Sequence, residues 1–227
     1  MPADWATALS AVLASPQMDI LRAFLRDRKN EGAQTCPPPH EWFSAFAATP
    51  LQKVKAIILA QEPWNAPGMA TGMAYSVRRG SRMPPTLHNI HKEVCRDLRI
   101  PAPAHGSLEK WADSGVLLLN TVLTAETGTG NGTSVSHKGR GWEALTDAVL
   151  AAVLARPMPC ALLLWGKDAH SKAAELTIDP ARHLILESSH PAPYSVRNGF
   201  LGCSHFSKAS DFIHSKAGEG IDWSLPL

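Results

Sequence analysis

Residues 54–65 read Val54-Lys-Ala-Ile-Ile-Leu59-Ala-Gln-Glu-Pro-Trp-Asn65. The run Val54–Leu59 is nearly continuously apolar rather than alternating, the pattern of a strand covered on both faces. It stops at a polar, proline-bearing segment. Three more runs share the pattern: Val116–Leu119, Ala161–Trp165 and Leu184–Leu186. The intervals hold segments long enough for crossover helices: Leu87–Leu98 with Leu108–Ser114, Trp142–Ala155, and Ala169–Leu176. Strands alternating with helices predict an α/β fold, a three-layer α/β/α sandwich around a central four-stranded parallel sheet. Each run is followed at its carboxyl end by polar, proline or glycine residues: Gln61-Glu-Pro-Trp-Asn65, Asn120, Gly166-Lys167, and Ser188-Ser-His-Pro-Ala-Pro-Tyr-Ser195. Ligands of open parallel sheets bind at that end, so Glu62, Asn120 and His190 are expected in one site.

Working outward, the first thirty residues read as helix with a break near Ser15-Pro16, and Cys36-Pro-Pro-Pro39 reads as an extended linker. Residues 1–39 are thus a helical segment and proline-rich linker leading into one domain over residues 1–227. The chain is 44% hydrophobic, enough for one sizeable core, and 19% charged, which argues against long disordered tracts. Its net charge of +2 excludes a protein coated in cations, so any nucleic-acid surface must be local. Cys36, Cys95, Cys160 and Cys203 are far apart, with no CxxC pair, and read as reduced thiols rather than metal ligands. No segment approaches the roughly 20 apolar residues of a membrane span. A soluble, cytoplasmic protein without a membrane partner is expected.

Taken singly, the polar residues at the strand ends have ordinary readings. A histidine after a strand is more often structural than catalytic, an asparagine there is usually a turn former, and Glu62 before Pro63 reads equally as a solvated loop acid. Arg78, Arg79 and Arg82 read as basic surface, and Tyr75 as core.

Their order along the chain is more specific. The stretch Leu59-Ala-Gln-Glu-Pro-Trp-Asn-Ala-Pro-Gly68, continued by Gly72-Met-Ala-Tyr-Ser-Val77, resembles the water-activating motif of the family 1 uracil-DNA glycosylases. Met83-Pro-Pro-Thr-Leu-His-Asn89 resembles their proline-rich loop, and Gly115-Val-Leu-Leu-Leu-Asn-Thr-Val-Leu-Thr124 their uracil-recognition segment. Ser136-His-Lys-Gly-Arg-Gly-Trp-Glu143 follows in the expected order. Leu163-Leu-Trp-Gly-Lys167 is similar to their glycine–serine loop. His190-Pro-Ala-Pro-Tyr-Ser195, with Gly199–Lys208, is similar to their DNA-intercalation loop, and Ile221-Asp-Trp223 to their C-terminal end. The likeness runs in order from about residue 40 to the end.

The resemblance implies a DNA repair enzyme that flips uracil out of single- or double-stranded DNA and hydrolyses its bond to deoxyribose, leaving an abasic site. It implies a monomer with no metal or organic cofactor. Glu62 and His190 are the implied catalytic residues. Gln61, Trp64, Tyr75 and Asn120 are the implied uracil contacts. Pro84, Pro85, Thr86, Gly166, Lys167, Pro191, Tyr194, Ser195, Arg197 and His205 are the implied DNA contacts. The chemistry suits these residue types. An asparagine amide matches the N3–H and O4 of uracil, and cytosine presents the reverse pattern. A neutral histidine can donate to O2 as negative charge develops there, and a carboxylate can stabilise a cationic sugar and orient water.

Several positions depart from the family's usual residues. Glu62 stands for Asp, Trp64 for the Tyr that excludes the thymine methyl, Asn65 for His, Ala60 for Gly, Tyr75 for Phe, and Lys167 for Ser. Tyr194 stands for the Leu that fills the gap left by the flipped base. The Thr124–His137 loop is a few residues longer than usual. With tyrosine at 194, the phage-encoded DNA-mimic inhibitor of this family is expected to bind weakly. Two rival readings keep the fold: a glycosylase retuned to another deaminated base, and a DNA-binding protein that has lost catalysis. A nucleotide-binding Rossmann enzyme lacks its GxGxxG after the first strand.

Overall fold

The computed structural model describes residues 1–129 and 133–226. Three helices open the chain, α1 (Ala3–Ala8), α2 (Ser10–Leu13) and α3 (Pro16–Asn30). The expected break falls at Ser15, whose hydroxyl accepts from Met18 N–H ahead of Pro16 at the first helical position. Next come β1 (Thr35–Cys36), α4 (Ser44–Ala48), β2 (Ala56–Ala60), α5 (Pro85–Leu98), α6 (Glu109–Asp113) and β3 (Val116–Asn120). The chain continues through β4 (Ala125–Thr129), β5 (Thr133–Ser136), α7 (Trp142–Leu154), β6 (Cys160–Trp165), α8 (Lys167–Ala174), β7 (His183–Ser188) and α9 (His205–Ala217).

The four expected strands form one sheet in the order β3-β2-β6-β7. All its pairings are parallel, with Ala60 opposite Asn120 and Trp165 opposite Ser188. Every residue of β2, β3 and β6 is buried, so both faces of these strands are covered and the layered α/β expectation holds. α6 packs on β3 and α4, α9 packs on β6, β7 and α5, and α7 packs against α2 and α3. One contiguous core runs from Trp5 to Trp223. Its ends are tied in by Trp5 Nε1 donating to the Thr49 carbonyl and Trp111 Nε1 donating to the Trp223 carbonyl.

Four expectations need correction. β7, one of the two edge strands, is not covered throughout: only His183 and Leu186 are buried and Ile185 is 42% exposed, whereas the other edge, β3, is buried along its length. The Thr124–His137 stretch is not simply a loop. β4 and β5 pair antiparallel, and β1 joins β4 in a second, three-stranded sheet. The extra length expected there involves residues 130–132, which lie outside the described residues. Cys36 belongs to β1, and Pro39–Glu41 turns in a 3-10 helix, so the proline-rich stretch is a folded corner rather than a linker. Finally, α9, with Phe206, Ala209 and Ile213 buried at helical spacing, begins at His205 inside the Gly199–Lys208 stretch read only as part of a DNA loop.

Candidate active site

β2 leads to β3 on one side of the sheet, and β6 leads to β7 on the other, so the switch point lies between β2 and β6. At the carboxyl ends of those two strands a cleft of about 720 Å³ is lined by Leu59–Gln61, Tyr75, Trp165–His170, Ser189, His190, Tyr194, Ser195 and Asn198. A recess of about 150 Å³ adjoins it, lined by Ala60, Gln61, Glu62, Trp64, Tyr75, Thr86 and His190. A larger cavity of about 870 Å³ lies at the opposite end of the sheet, around Lys53, Lys55 and Gly115, and none of the expected site residues lines it.

Each expected chemical group reaches this end of the sheet by a separate local device. The Gln61 carbonyl accepts from Val122 N–H and the Thr121 hydroxyl, both at 2.9 Å, which fixes the turn after β2. Beyond it, the Glu62 carboxylate accepts from the Ser136 hydroxyl at 2.5 Å. Asn120 ends β3 opposite Ala60, is 2% exposed, and its Oδ1 has no hydrogen-bond partner among the described residues. Leaving a buried amide oxygen unpaired costs about 1–3 kcal/mol, and this unmet acceptor lies at the carboxyl end of β3.

His190 follows β7. Its Nδ1 accepts from Ala192 N–H at 3.1 Å, which leaves the hydrogen of the neutral ring on Nε2. Nε2 lies 3.3 Å from the Tyr75 hydroxyl. Burial pushes the imidazole pKa below its ordinary value, with the Asp168 charge acting the other way, so the neutral form is favoured. The loop is stiffened from within, since Ser195 Oγ donates to the His190 carbonyl at 2.8 Å and Ser189 Oγ to the Ser195 carbonyl at 2.9 Å. Gly166 lets this loop approach. Its φ is +93°, and a Cβ there would sit 2.9 Å from His190 Cβ.

Tyr75 is sandwiched edge-on and tilted between Trp64 (6.5 Å between ring centroids), Trp165 (5.6 Å) and His190 (6.1 Å). Tyr194 is 86% exposed at the cleft. Beside it, a groove of about 510 Å³ is lined by Arg82, His88, Lys92 and Arg197, with Pro85 and Pro193 and no carboxylate.

The structure brings together Gln61, Glu62, Trp64, Tyr75, Thr86, Gly166, Lys167, His190, Tyr194 and Ser195 in the cleft and recess, with Asn120 at the neighbouring strand end. Pro85 and Arg197 line the groove, whereas Pro84 and Pro191 are buried, the Pro191 carbonyl accepting from Asn89 Nδ2 at 2.8 Å. His205 does not join the surface. It is 3% exposed, its Nδ1 accepts from Trp165 Nε1 at 3.1 Å, and burial pushes its pKa down to about 4. It belongs to the first turn of α9, which packs on the sheet, so it is a core residue rather than a DNA contact. The sequence reading overlooked Ser136, Lys92 and His88. Ser136 stood in a quoted motif but carried no assigned role, and only the pairing of β5 with β4 carries it to Glu62.

The model of the uracil DNA glycosylase superfamily matches residues 46–213. A uracil-DNA glycosylase of Sinorhizobium medicae is 47% identical over 223 residues, covering 98% of this chain and 90% of that one. The chain belongs to the uracil DNA glycosylase superfamily. Among solved structures it is similar to the mimivirus uracil-DNA glycosylase, with a TM-score of 0.90 at 24% identity over 99% of this chain and 87% of that chain. The Y322L variant of the mimivirus protein, solved in complex with UGI, superposes with a TM-score of 0.91 at 24% identity, over 99% and 89% of the two chains. Membership in the family agrees with the parallel sheet and with the convergence of Glu62, Asn120 and His190 at its carboxyl end. Among the described residues, no helix is long and apolar enough to cross a membrane.

Proposed function

We infer that this chain is a DNA repair hydrolase that removes uracil from DNA and leaves an abasic site. The observation that carries the reading is the buried, unpartnered Oδ1 of Asn120 at the end of β3, within a chain of this family. Uracil N3–H supplies the missing donor. Cytosine has no hydrogen on N3 and would leave the orphan in place, an error that costs a site far more than a misfitted methyl group.

The remaining roles follow from chemistry. The nucleotide leaves the stack to reach the recess, where Trp64 walls off a 5-methyl group and the Tyr75 ring packs against the base. As the glycosidic bond breaks, its electron pair moves onto the base, and His190 Nε2–H donates to O2, where charge accumulates. The Glu62 carboxylate, steadied by Ser136, stabilises the cationic sugar and orients the water that attacks it. Tyr194 enters the DNA stack as a wedge. The Arg82–Lys92–Arg197 groove takes phosphates, with Lys167, Gly166, Ser195 and the backbone near Pro85 and Thr86 completing the grip. The chain acts as one domain and a monomer, a reading supported by its contiguous core and by exposed large apolar side chains that are few and scattered. Free thiols support a cytoplasmic setting. It is an atypical member in which Glu62, Trp64, Asn65 and Tyr194 depart from the family pattern. The phenol of Tyr194 makes it a weak target for the DNA-mimic inhibitor, whose apolar pocket overpacks around it.

The test is a gel assay on oligonucleotides carrying uracil, hypoxanthine, xanthine or thymine, followed by alkaline cleavage. Strand breaks confined to the uracil substrate are expected. Release of hypoxanthine or xanthine without uracil would overturn the substrate, and no release of any base would overturn catalysis.

A further inference from the structure

We propose that the hydroxyl of Tyr75 is a second catalytic hydrogen-bond donor to O2 of the departing base, acting beside His190. The proposal rests on the reading of the site as one for uracil excision.

Ala192 N–H donates to His190 Nδ1, so Nε2 carries the ring hydrogen and donates to Tyr75 Oη at 3.3 Å. The hydroxyl therefore accepts in this contact and its own hydrogen is left over. Among the described residues Tyr75 Oη has no other partner. The residue is only 7% exposed, and burial pushes its pKa up, so the hydroxyl keeps its hydrogen throughout the neutral range. A buried O–H with nothing to donate to is a cost that an acceptor on the ligand removes.

The position suits that acceptor. Tyr75 and His190 line the same recess and the same cleft. Tyr75 also holds a left-handed backbone, φ 61°, a conformation that strains a non-glycine residue. The flanking chain enforces it: Ala74 N–H donates to the Leu118 carbonyl of β3 and Val77 N–H to the Gly106 carbonyl. A carbonyl oxygen has two lone pairs, and donors 3.3 Å apart can share it. As the C1′–N1 bond breaks, its electron pair spreads over N1 and O2. Both donors keep their protons, the base leaves as an anion, and each hydrogen bond strengthens as the oxygen gains charge. A phenylalanine would supply the aromatic ring without the donor.

The decisive variant is Tyr75→Phe, made in the wild type and in His190→Ala. On a single-stranded uracil oligonucleotide, the single-turnover rate of Tyr75→Phe is expected to fall on the order of ten- to a hundredfold. Its affinity for an oligonucleotide with an uncleavable uracil nucleotide should change by a much smaller factor, since the hydrogen bond strengthens as charge develops. In His190→Ala the same change should cost a comparable further factor, because the hydroxyl reaches the oxygen directly. A wild-type rate in Tyr75→Phe would overturn the proposal. So would a loss that disappears in His190→Ala, which would make the hydroxyl only a holder of the imidazole. A wild-type chain inactive on uracil would overturn the underlying reading itself, whatever Tyr75→Phe does.

Discussion

At position 62 the carboxylate stands one methylene farther from the backbone than an aspartate's, roughly 1.5 Å of reach. The Ser136 hydroxyl, 74 residues away in sequence, holds it at 2.5 Å. Glu62→Gln keeps the shape and removes the charge, and single-turnover excision should fall on the order of 10²-fold or more; a wild-type rate would refute the assignment. Ser136→Ala removes one charge-assisted hydrogen bond of about 1.5 kcal/mol, which corresponds to roughly tenfold in rate. Ser136→Thr should restore it. In a Glu62→Asp background the shorter acid falls out of reach, so Ser136→Ala should add no further loss. Equal losses in both backgrounds would show that Ser136 does not act through residue 62.

The elements act by delivering loops. The glycine between β6 and α8 leaves room for the loop after β7. Gly166→Ala puts a methyl group against His190 and strains a left-handed backbone. A displacement of about 1 Å at the reacting groups costs on the order of 10²-fold, and that loss is expected in excision rate while the thermal midpoint moves by only a few degrees. Unaltered excision would mean that the loop shifts without consequence. Tyr194, on the same loop, is 86% exposed and makes no packing contribution to the core. Tyr194→Ala should slow excision from duplex DNA more than from single strands, because only the duplex must be kept open. Equal losses on both substrates would argue against a wedge.

Across the molecule, one partly buried polar network joins α3, the small sheet and α7. Arg28 donates to both oxygens of Glu126, His137 Nε2 lies 3.1 Å from Glu126 Oε1 and its Nδ1 2.8 Å from Thr124 Oγ1, and Trp142 Nε1 donates to Thr124 Oγ1. The hydrogen bond from Arg28, the leading cause, holds the Glu126 pKa at about 2 against an ordinary value of 4.5. The sign follows from linkage: a folded pKa below the unfolded one gives stabilisation that is complete above about 4.5 and is lost as pH falls toward 2. Glu126→Gln should therefore lose on the order of 2 kcal/mol at pH 7 in urea unfolding, and the wild-type and variant curves should converge on acidification. A constant gap from pH 7 to pH 3 would contradict this account. The same network anchors the end of β5 that carries Ser136, which ties site geometry to fold stability.

Much of this was legible in the linear chain, because its signals are local. Each of the runs beginning Val54, Val116, Ala161 and Leu184 is apolar without alternation, and that alone determined a parallel sheet with polar residues at one end. The ordered set around Glu62, Asn120 and His190 determined the family for the same reason: each motif is a short contiguous stretch. Tertiary structure decided what depends on pairs distant in sequence. His205 looks like a loop histidine until α9 turns it onto Trp165. β4 and β5 look like a glycine- and threonine-rich loop until β1 pairs with them. Ser136 and the Tyr75 hydroxyl acquire partners 74 and 115 residues away, on Glu62 and His190. A hydrogen bond needs its two atoms within about 3.5 Å, and no local pattern encodes that meeting. Only the packing of the sheet, its helices and its carboxyl-end loops brings those atoms together.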